Sequence, residues 1–518
     1  MPDVLTTSRV LVGSTNSLLP FSLTPRELGK REGLEERVSR IGDLLLKGLS
    51  PRPARTGSRT QYSIFPNTRR FNMFKIATRW ILIFTVLASL SAPLIFSQEA
   101  KDRTLEASQK QAIVDDVSKL LNQNYIFAET AKNMEEQIRG RLKNGDYDKL
   151  AGAREFAQGV SQDLSSVSKD KHLGFAYAPE QAAEMRRRMS QNEDEARAAR
   201  ERQLAAAKRD NFGFRRVEQL AGNIGYLDFR YFASASRGGG TAVAGLNFLA
   251  HCDAVIIDLR QNGGGDPSQI QLISSYFFPE PTHLNDIYTR SEDKTENFWT
   301  LPYVPGTLLD HADLYILTSA RTFSGAEEFS YNMKNLKRAT LIGETTGGGA
   351  HPTDALIVQT DFVLRVPMAR AINPITKTNW EGTGVTPDIQ VPAAQAFDRA
   401  YTMALEKLAV KASDAQRKSE LKWILVGQMA KLNSPGVNEK ILKTCVGVYG
   451  DRKVTLENGV LQYQRTGPKY RLTPLTETLF AVEGLDDFRV EFVVKQGKAV
   501  ELIGLYDDGT RQPSPRTK

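Results

Sequence analysis

The chain is poor in the residues that build disulfide frameworks and metal centres. Its 518 residues include only two cysteines, Cys252 and Cys445, and only five histidines. Two cysteines this far apart exclude a disulfide scaffold and a cysteine-based zinc site. The sequence also lacks an HExxH motif and any other group of His, Asp and Glu at metal-ligand spacing, so we expect no metal and no other cofactor.

Net charge is missing from most of the chain. The formal charge of +8 at pH 7 would suit a nucleic-acid-binding protein. However, residues 1–98 hold 14 of the 68 basic residues and 6 of the 60 acidic ones. Residues 99–518 therefore contain 54 of each and have no net charge. Because residues 99–518 carry no excess of positive charge, their composition gives no support for nucleic-acid binding, and we expect no nucleic-acid partner.

A single long hydrophobic run is present, and it lies near the N-terminus. Residues 73–97 begin with two basic residues, continue through an uncharged, mostly apolar stretch and end in small residues, as in a secretory signal peptide. A lone membrane anchor is the alternative, because the stretch is also long enough to span a bilayer. We predict that Met73 is the true start, that residues 1–72 are an unstructured extension, and that the protein is secreted or periplasmic. Membrane contact would then require that the signal segment stays uncleaved.

The apolar pattern changes along the remaining chain. Apolar residues at helical spacing occur first, and short apolar runs that alternate with helical stretches follow and predict an α/β core. Near the C-terminus, short alternating runs punctuated by turn residues predict a small antiparallel β-barrel-like module. The predicted divisions are an N-terminal helical domain (99–180), a charged helical linker (181–215), an α/β core (216–405), a helical linker (406–436) and a β-rich C-terminal domain (437–518).

Three turns rich in small residues follow predicted strands. Ser324 opens a predicted helix and can be its N-cap, with Glu327 completing a capping box. It can equally be a nucleophile, with the N–H group of Gly325 receiving an oxyanion. The glycines 263–265 form either a tight turn or a place where backbone N–H groups approach a ligand closely. The third turn, residues 343–352, is another junction between a strand and a glycine-rich loop.

Taken in order, these motifs resemble the C-terminal processing (tail-specific) serine peptidase family, in its interphotoreceptor-retinoid-binding-protein-like branch, which is related to the tricorn protease core. The resemblance covers about residues 105–405 and implies a ClpP/crotonase-like α/β core. It also implies a serine endopeptidase that cleaves protein or peptide substrates through an acyl-enzyme. The segments that carry it are 258–265, 318–327, 343–352 and 380–389.

The resemblance also indicates how the site would be built around Ser324 as nucleophile. In the Ser-Lys members of the family a lysine follows the nucleophile helix, but Gly349 stands at the matching position. The tricorn-like arrangement instead implies His172 as general base and Glu381 as the acid that orients it. The N–H groups of Gly325 and Gly264 are the expected oxyanion donors.

One histidine competes with His172 for the role of base. His351 lies in the third turn, where we otherwise expect it to line the substrate cleft together with Gly348 and Gly349. A histidine of ordinary pKa would lose activity as a base below roughly pH 6–7. Lys171 adjoins His172, and a neighbouring cation is expected to lower the pKa of the imidazole.

The alternative function is a non-catalytic retinoid- or fatty-acid-binding homologue of the same fold, since the branch takes its name from a retinoid carrier. About 50 residues separate His172 from Gly222, which is too few for the PDZ domain that many relatives insert there. Substrates would then be recognised by the cleft or by the C-terminal module, which resembles the lipocalin-like modules of bacterial hydrolases. A homo-oligomer is compatible with the sequence.

Overall fold

The structure is a computed structural model, and it describes residues 102–433 and 435–517. The predicted extension, residues 1–72, and the predicted signal peptide, residues 73–97, lie outside the described residues. Within the described residues, no helix is both long and apolar enough to cross a membrane.

Three amphipathic helices and a short strand begin the described chain. Apolar side chains at helical spacing, among them Ile113, Val117 and Leu121, are fully buried between these elements. The strand corrects the helical interpretation of residues 99–180, because it pairs antiparallel with residues 362–365 and so fixes the loop that carries His172. The elements are α1 (Ala107–Asn124), α2 (Ala128–Lys143), α3 (Ala153–Ser168) and β1 (Gly174–Tyr177).

The highly charged stretch that follows forms two helices, α4 (Pro179–Ser190) and α5 (Glu193–Arg209). None of the α5 residues is buried. Its N-cap is Asn192, whose Oδ1 accepts the N–H of Glu195 at 2.9 Å. The predicted solvated helix is thus interrupted once, and its charges face water.

The central part of the chain alternates strands with helices in places, as the sequence pattern predicts, but between residues 339 and 390 five strands follow one another without a helix. In chain order its elements are β2 (Phe214–Leu220), β3 (Ile224–Phe229), α6 (Ala235–Phe248), β4 (Ala254–Asp258), α7 (Pro267–Ser275), β5 (His283–Thr289), β6 (Lys294–Trp299), β7 (Asp313–Thr318), α8 (Gly325–Asn335), β8 (Ala339–Gly343), β9 (Thr353–Val358), β10 (Phe362–Pro367), β11 (Ala369–Ile372), β12 (Ile389–Gln390), α9 (Ala393–Lys411) and α10 (Ala415–Leu432).

Six of these strands form the main sheet, in the order β12-β8-β7-β4-β3-β2. All neighbours are parallel except β2 and β3, which form an antiparallel pair. Apolar residues of α6, α7 and α8 pack on one face, and those of α9 and α10 pack on the other. The chain therefore forms a mixed α/β structure in which the loops after β4, β7 and β8 leave the sheet at one edge, where ligands of open α/β sheets usually bind.

Two small antiparallel sheets accompany the main sheet, with the strand orders β1-β10-β9 and β11-β5-β6. The apolar run at 362–366 belongs to the first of them. Strand β6 was not predicted from the sequence, because its residues are mostly exposed and polar and show no hydrophobic alternation.

The C-terminal part forms an eight-stranded antiparallel sheet in which each strand pairs with the next along the chain. Its two ends meet at a bridge between Tyr449 and Arg516, and the Thr517 N–H donates to the Val448 carbonyl at 2.8 Å, so the sheet is nearly a closed barrel. Apolar and aromatic side chains fill its interior. The elements are α11 (Glu439–Cys445), β13 (Gly447–Tyr449), β14 (Arg452–Glu457), β15 (Val460–Gln464), β16 (Tyr470–Pro474), β17 (Leu479–Val482), β18 (Leu485–Lys495), β19 (Lys498–Tyr506) and β20 (Arg511–Pro515).

Candidate active site

The glycine turn after β4 packs directly against the start of helix α8. A Cβ atom added to Gly264 would lie 2.6 Å from the backbone nitrogen of Gly325 and 2.8 Å from the Cβ of Ser324. Gly264 also has a φ of +98°, which side chains rarely adopt. Only glycine tolerates both the lack of space for a Cβ atom and the positive φ. The turn can therefore pack directly against Ser324.

Ser324 occupies a strained turn between β7 and α8. Its φ of 52° and ψ of −121° differ from the extended conformation of an ordinary N-cap. The predicted capping box with Glu327 is nevertheless present, and the Ser324 N–H donates to Glu327 Oε2 at 2.8 Å. Capping and catalysis are therefore compatible here, and backbone strain of this kind clusters at functional sites.

The strained backbone of Ser324 predicts that glycine is tolerated better than alanine at this position. We expect Ser324→Gly to be more stable than Ser324→Ala by about 1 kcal/mol, because glycine adopts a positive φ without a steric penalty. Urea denaturation followed by circular dichroism measures the difference. The control is Ser330, in the middle of α8, where glycine should be about 1 kcal/mol worse than alanine. The same order at both sites would contradict the strain.

Glu327 connects the nucleophile turn to the third turn of the sequence analysis. Its side chain is fully buried. Oε1 accepts the hydroxyl of Thr346 at 2.5 Å and the N–H of Gly348 at 2.6 Å, and Oε2 accepts the N–H groups of Gly349 at 2.9 Å and Ser324 at 2.8 Å. Burial raises the pKa of this carboxyl, and the four hydrogen bonds oppose that effect. Sequence analysis gave Glu327 only a capping role, since the partners in the third turn are remote in sequence.

His172 lies beside the nucleophile turn. Its ring packs on that of Phe323, with 4.7 Å between centroids. A Cβ atom on Gly349 would lie 2.4 Å from His172 Cε1 and 2.3 Å from the Phe323 ring. The position that carries a lysine in the Ser-Lys relatives thus has no room for any side chain here, because the histidine ring occupies that space.

The imidazole of His172 is half-buried, and its Nδ1 is buried without a hydrogen-bond partner. One ring nitrogen lies within 4.8 Å of carboxylate oxygens of both Asp170 and Glu381. Among the described residues the ring has no hydrogen bond to Ser324 or to Glu381. Catalytic hydrogen bonds are often long in the absence of substrate. The positions of these side chains are therefore compatible with a triad of Ser324, His172 and Glu381.

Burial lowers the pKa of His172 to about 4. The negative charge of Asp170 opposes this effect, whereas His351 and Arg365 add to it. The predicted contribution of Lys171 is therefore wrong: its side chain is exposed, and Arg365 supplies the effective cation. Lys171 acts instead through its backbone, whose N–H donates to Glu381 Oε1 at 3.0 Å.

Glu381 and His351 meet in the same cluster. Glu381 Oε2 accepts the N–H of Ala350 at 2.6 Å and lies 3.6 Å from His351 Nδ1. That nitrogen is paired with Asp170 Oδ2 at 2.6 Å, and the Asp170 Oδ1 accepts the N–H of His172 at 2.9 Å. Sequence analysis missed Asp170, although a carboxylate two residues before a candidate base is a usable signal. His351 is only 4% exposed and forms part of the cluster, and its place in a substrate cleft stays a prediction.

The two predicted oxyanion donors differ. Among the described residues the Gly325 N–H has no partner, and it stands at the N-terminus of α8, where the helix dipole favours an anion. The Gly264 N–H donates to Asn262 Oδ1 at 2.9 Å. An oxyanion at Gly264 would have to compete with that amide oxygen, which makes Gly325 the better donor.

A cation would find its best ligands in the same place. Within the described part of the chain, Asp170, His172 and Glu381 form a group whose potential ligand atoms lie close enough to share an ion. However, both carboxylates already accept hydrogen bonds from N–H groups, which compete with a metal for the same oxygens. A metal ion bound here would therefore have to displace these hydrogen bonds.

Comparison with known proteins gives the family. The sequence model of Peptidase family S41 matches residues 223–391, and that of the N-terminal domain of Peptidase_S41 in eukaryotic IRBP matches residues 104–208. Together the two matches span more than half of the chain. They define its class, a serine-type peptidase. The chain belongs to peptidase family S41, as the ordered motifs predicted.

Solved structures that are similar to the chain share low sequence identity with it. A lipoprotein from Streptococcus agalactiae is 14% identical, with a TM-score of 0.39 over 57% of this chain and 96% of that one. A putative peptidase from Parabacteroides merdae is 18% identical, with a TM-score of 0.39 over 55% and 90%. The tricorn protease is 14% identical, with a TM-score of 0.36 over 56% of this chain but only 35% of its own length.

Proposed function

We propose that this peptidase is an endopeptidase that cleaves peptide bonds through an acyl-enzyme on Ser324. The observation that carries the proposal is the strained backbone of Ser324 at the N-terminus of α8, beside the ring of His172. We also assign the central α/β layers to a ClpP/crotonase-like core. The pattern of residues 73–97 supports export, with the protein secreted or periplasmic.

In the proposed mechanism, Ser324 Oγ attacks the peptide carbonyl while His172 takes the hydroxyl proton. The Gly325 N–H binds the oxyanion of the tetrahedral intermediate. His172 then gives the proton to the departing amine, and water hydrolyses the acyl-enzyme with His172 again as base. The carboxylates of Asp170 and Glu381 stabilise the imidazolium in between, since both lie within 4.8 Å of the ring.

A fluorophosphonate probe tests the nucleophile directly. We expect it to label the wild-type protein covalently at Ser324. Labelling should vanish in Ser324→Ala, because that substitution removes the hydroxyl that attacks the probe. Peptide mapping identifies the labelled residue. Equal labelling of both proteins would reject the assignment, and turnover that EDTA abolishes and Zn²⁺ restores would indicate metal catalysis at the cluster. Saturable fatty-acid or retinoid binding without peptide turnover would favour the carrier alternative.

The low pKa of His172 changes the expected pH dependence of the enzyme. A base must be neutral to accept a proton, and a pKa of about 4 keeps this imidazole neutral well below the pH 6–7 expected for an ordinary histidine. We therefore expect the acid limb of kcat/KM near pH 4. Activity lost around pH 6.5 while circular dichroism shows an intact fold would contradict the assignment. Arg365→Gln should move the limb upward, whereas Lys171→Ala should leave it in place.

A further inference from the structure

A cavity of about 430 Å³ adjoins the catalytic cluster, and Asp170, His351 and Glu381 form part of its wall. The third turn connects this wall to the nucleophile helix. Its Gly349 N–H donates to Glu327 of that helix, and the N–H of the next residue, Ala350, donates to Glu381 of the wall. An extended peptide advances about 3.3 Å per residue. A substrate bound across Ser324 therefore reaches the cavity within a few residues.

Arg370 lines this cavity, and its guanidinium lies near two aromatic rings. Its guanidinium carbon lies 5.6 Å from the ring centroid of Phe127 and 5.7 Å from that of Tyr288. Among the described residues its guanidinium makes no hydrogen bond and no ion pair. A guanidinium that lies within cation–π distance of two rings and keeps free N–H groups can bind a planar anion with two parallel hydrogen bonds.

The other charges around the cavity favour the same kind of ligand. Lys169 and Lys377 line it and are exposed. The carboxylates of Asp170 and Glu381 offset part of this positive charge, although both are already engaged, Asp170 with His351 and Glu381 with two backbone N–H groups. Three basic and two acidic side chains line the cavity besides His351, so an excess of one positive charge remains, and it lies on the side of Arg370 and the two lysines.

We propose that Arg370 binds a carboxylate of the peptide substrate, with Lys169 and Lys377 adding attraction from the rim. The inference rests on the proposed peptidase function and gives its site a charge preference. Two sources offer the same chemistry, the α-carboxylate at a peptide C-terminus and the side chain of an Asp or Glu residue. Either would place the anion a few residues from the scissile bond.

Protection of Ser324 from the fluorophosphonate probe measures this preference without a known substrate. Acetyl-pentaalanine is compared as free acid and as amide, and a pentapeptide amide is compared with a central glutamate or glutamine. In the wild-type protein we expect at least one acidic member to protect at a concentration about tenfold to a hundredfold below that of its neutral partner. A preference for the free acid identifies the α-carboxylate, and a preference for glutamate identifies the side chain.

The ratio within each peptide pair is then measured in variants. Arg370→Met preserves an unbranched side chain near the two rings and should reduce the ratio to near one, while Arg370→Lys should give an intermediate value. The control Arg237→Gln, an exposed residue of α6, should keep the wild-type ratio. Equal protection by both members of both pairs, or an unchanged ratio in Arg370→Met, would overturn the carboxylate site alone. Failure of the probe to label wild-type Ser324 would overturn the peptidase mechanism and the inference with it.

Discussion

Replacing His172 with alanine is expected to lower peptide turnover by about 10⁶-fold, close to the effect of losing Ser324, because members of a triad act as a unit. The half-buried ring packs on Phe323 beside the nucleophile, and its Nδ1 has no competing partner. Steady-state kcat/KM on a fluorogenic peptide and the rate of fluorophosphonate labelling should both collapse. Circular dichroism should remain that of the folded protein, since the ring fills space near the surface of the site.

Two other histidines provide controls for this result. His311→Ala changes a half-exposed side chain and should leave turnover at the wild-type level. His351→Ala removes the partner of Asp170 and should weaken activity by about 10²-fold or less, since it disturbs the carboxylate beside the base without removing the base. Near-wild-type turnover in His172→Ala together with inactive His351→Ala would transfer the role of base to His351.

Replacing Glu327 with glutamine is expected to damage both stability and catalysis. Four donors point at the carboxylate oxygens, and an amide NH₂ group would face two of them with a hydrogen instead of a lone pair. We expect a loss of about 2–6 kcal/mol in the free energy of unfolding, because two buried donors would lose their acceptors at about 1–3 kcal/mol each. Turnover should fall by about 10²-fold or more, because Ser324 and the third turn would lose their shared anchor. Urea titration and kcat/KM measure the two effects.

Glu328 offers a matched control on the next position of the same helix. It is also buried, and burial raises its pKa to about 7. Because the protonated form is already populated near neutral pH, Glu328→Gln should change stability by less than about 1 kcal/mol. Equal losses in the two variants would show that burial of a carboxyl, and not the four hydrogen bonds of Glu327, determines the effect.

The sequence was sufficient for the features that depend on neighbouring residues. The strand, turn and helix around Ser324 follow from an apolar run, small residues and a helical stripe, and the structure has a helix at Gly325–Asn335. The order of the motifs was also enough to predict the peptidase family. In both cases the information lies within segments of about ten residues, which is the range over which periodicity and capping patterns act.

Features that depend on distant parts of the chain were beyond the sequence. Asp170 pairs with His351 across 181 positions, and Lys171 contacts Glu381 across 210. The low pKa of His172 arises mainly from burial, which the sequence around it does not reveal, so the adjacent lysine was the wrong explanation. Similarly, the exposed strand β6 carries no hydrophobic alternation, because its stability comes from pairing with β5.

The nearly closed C-terminal barrel limits how an unfolded polypeptide can bind to this protein. A sheet whose first and last strands are bridged offers almost no row of free backbone N–H and C=O groups, so an extended polypeptide cannot join it as an additional strand. Among the described residues, strands that pair on one side only occur instead in the peptidase part, at β1, β2, β6, β9, β11 and β12. Strand-like capture of a chain before cleavage would therefore take place in the peptidase part, while the barrel would contribute only side-chain contacts.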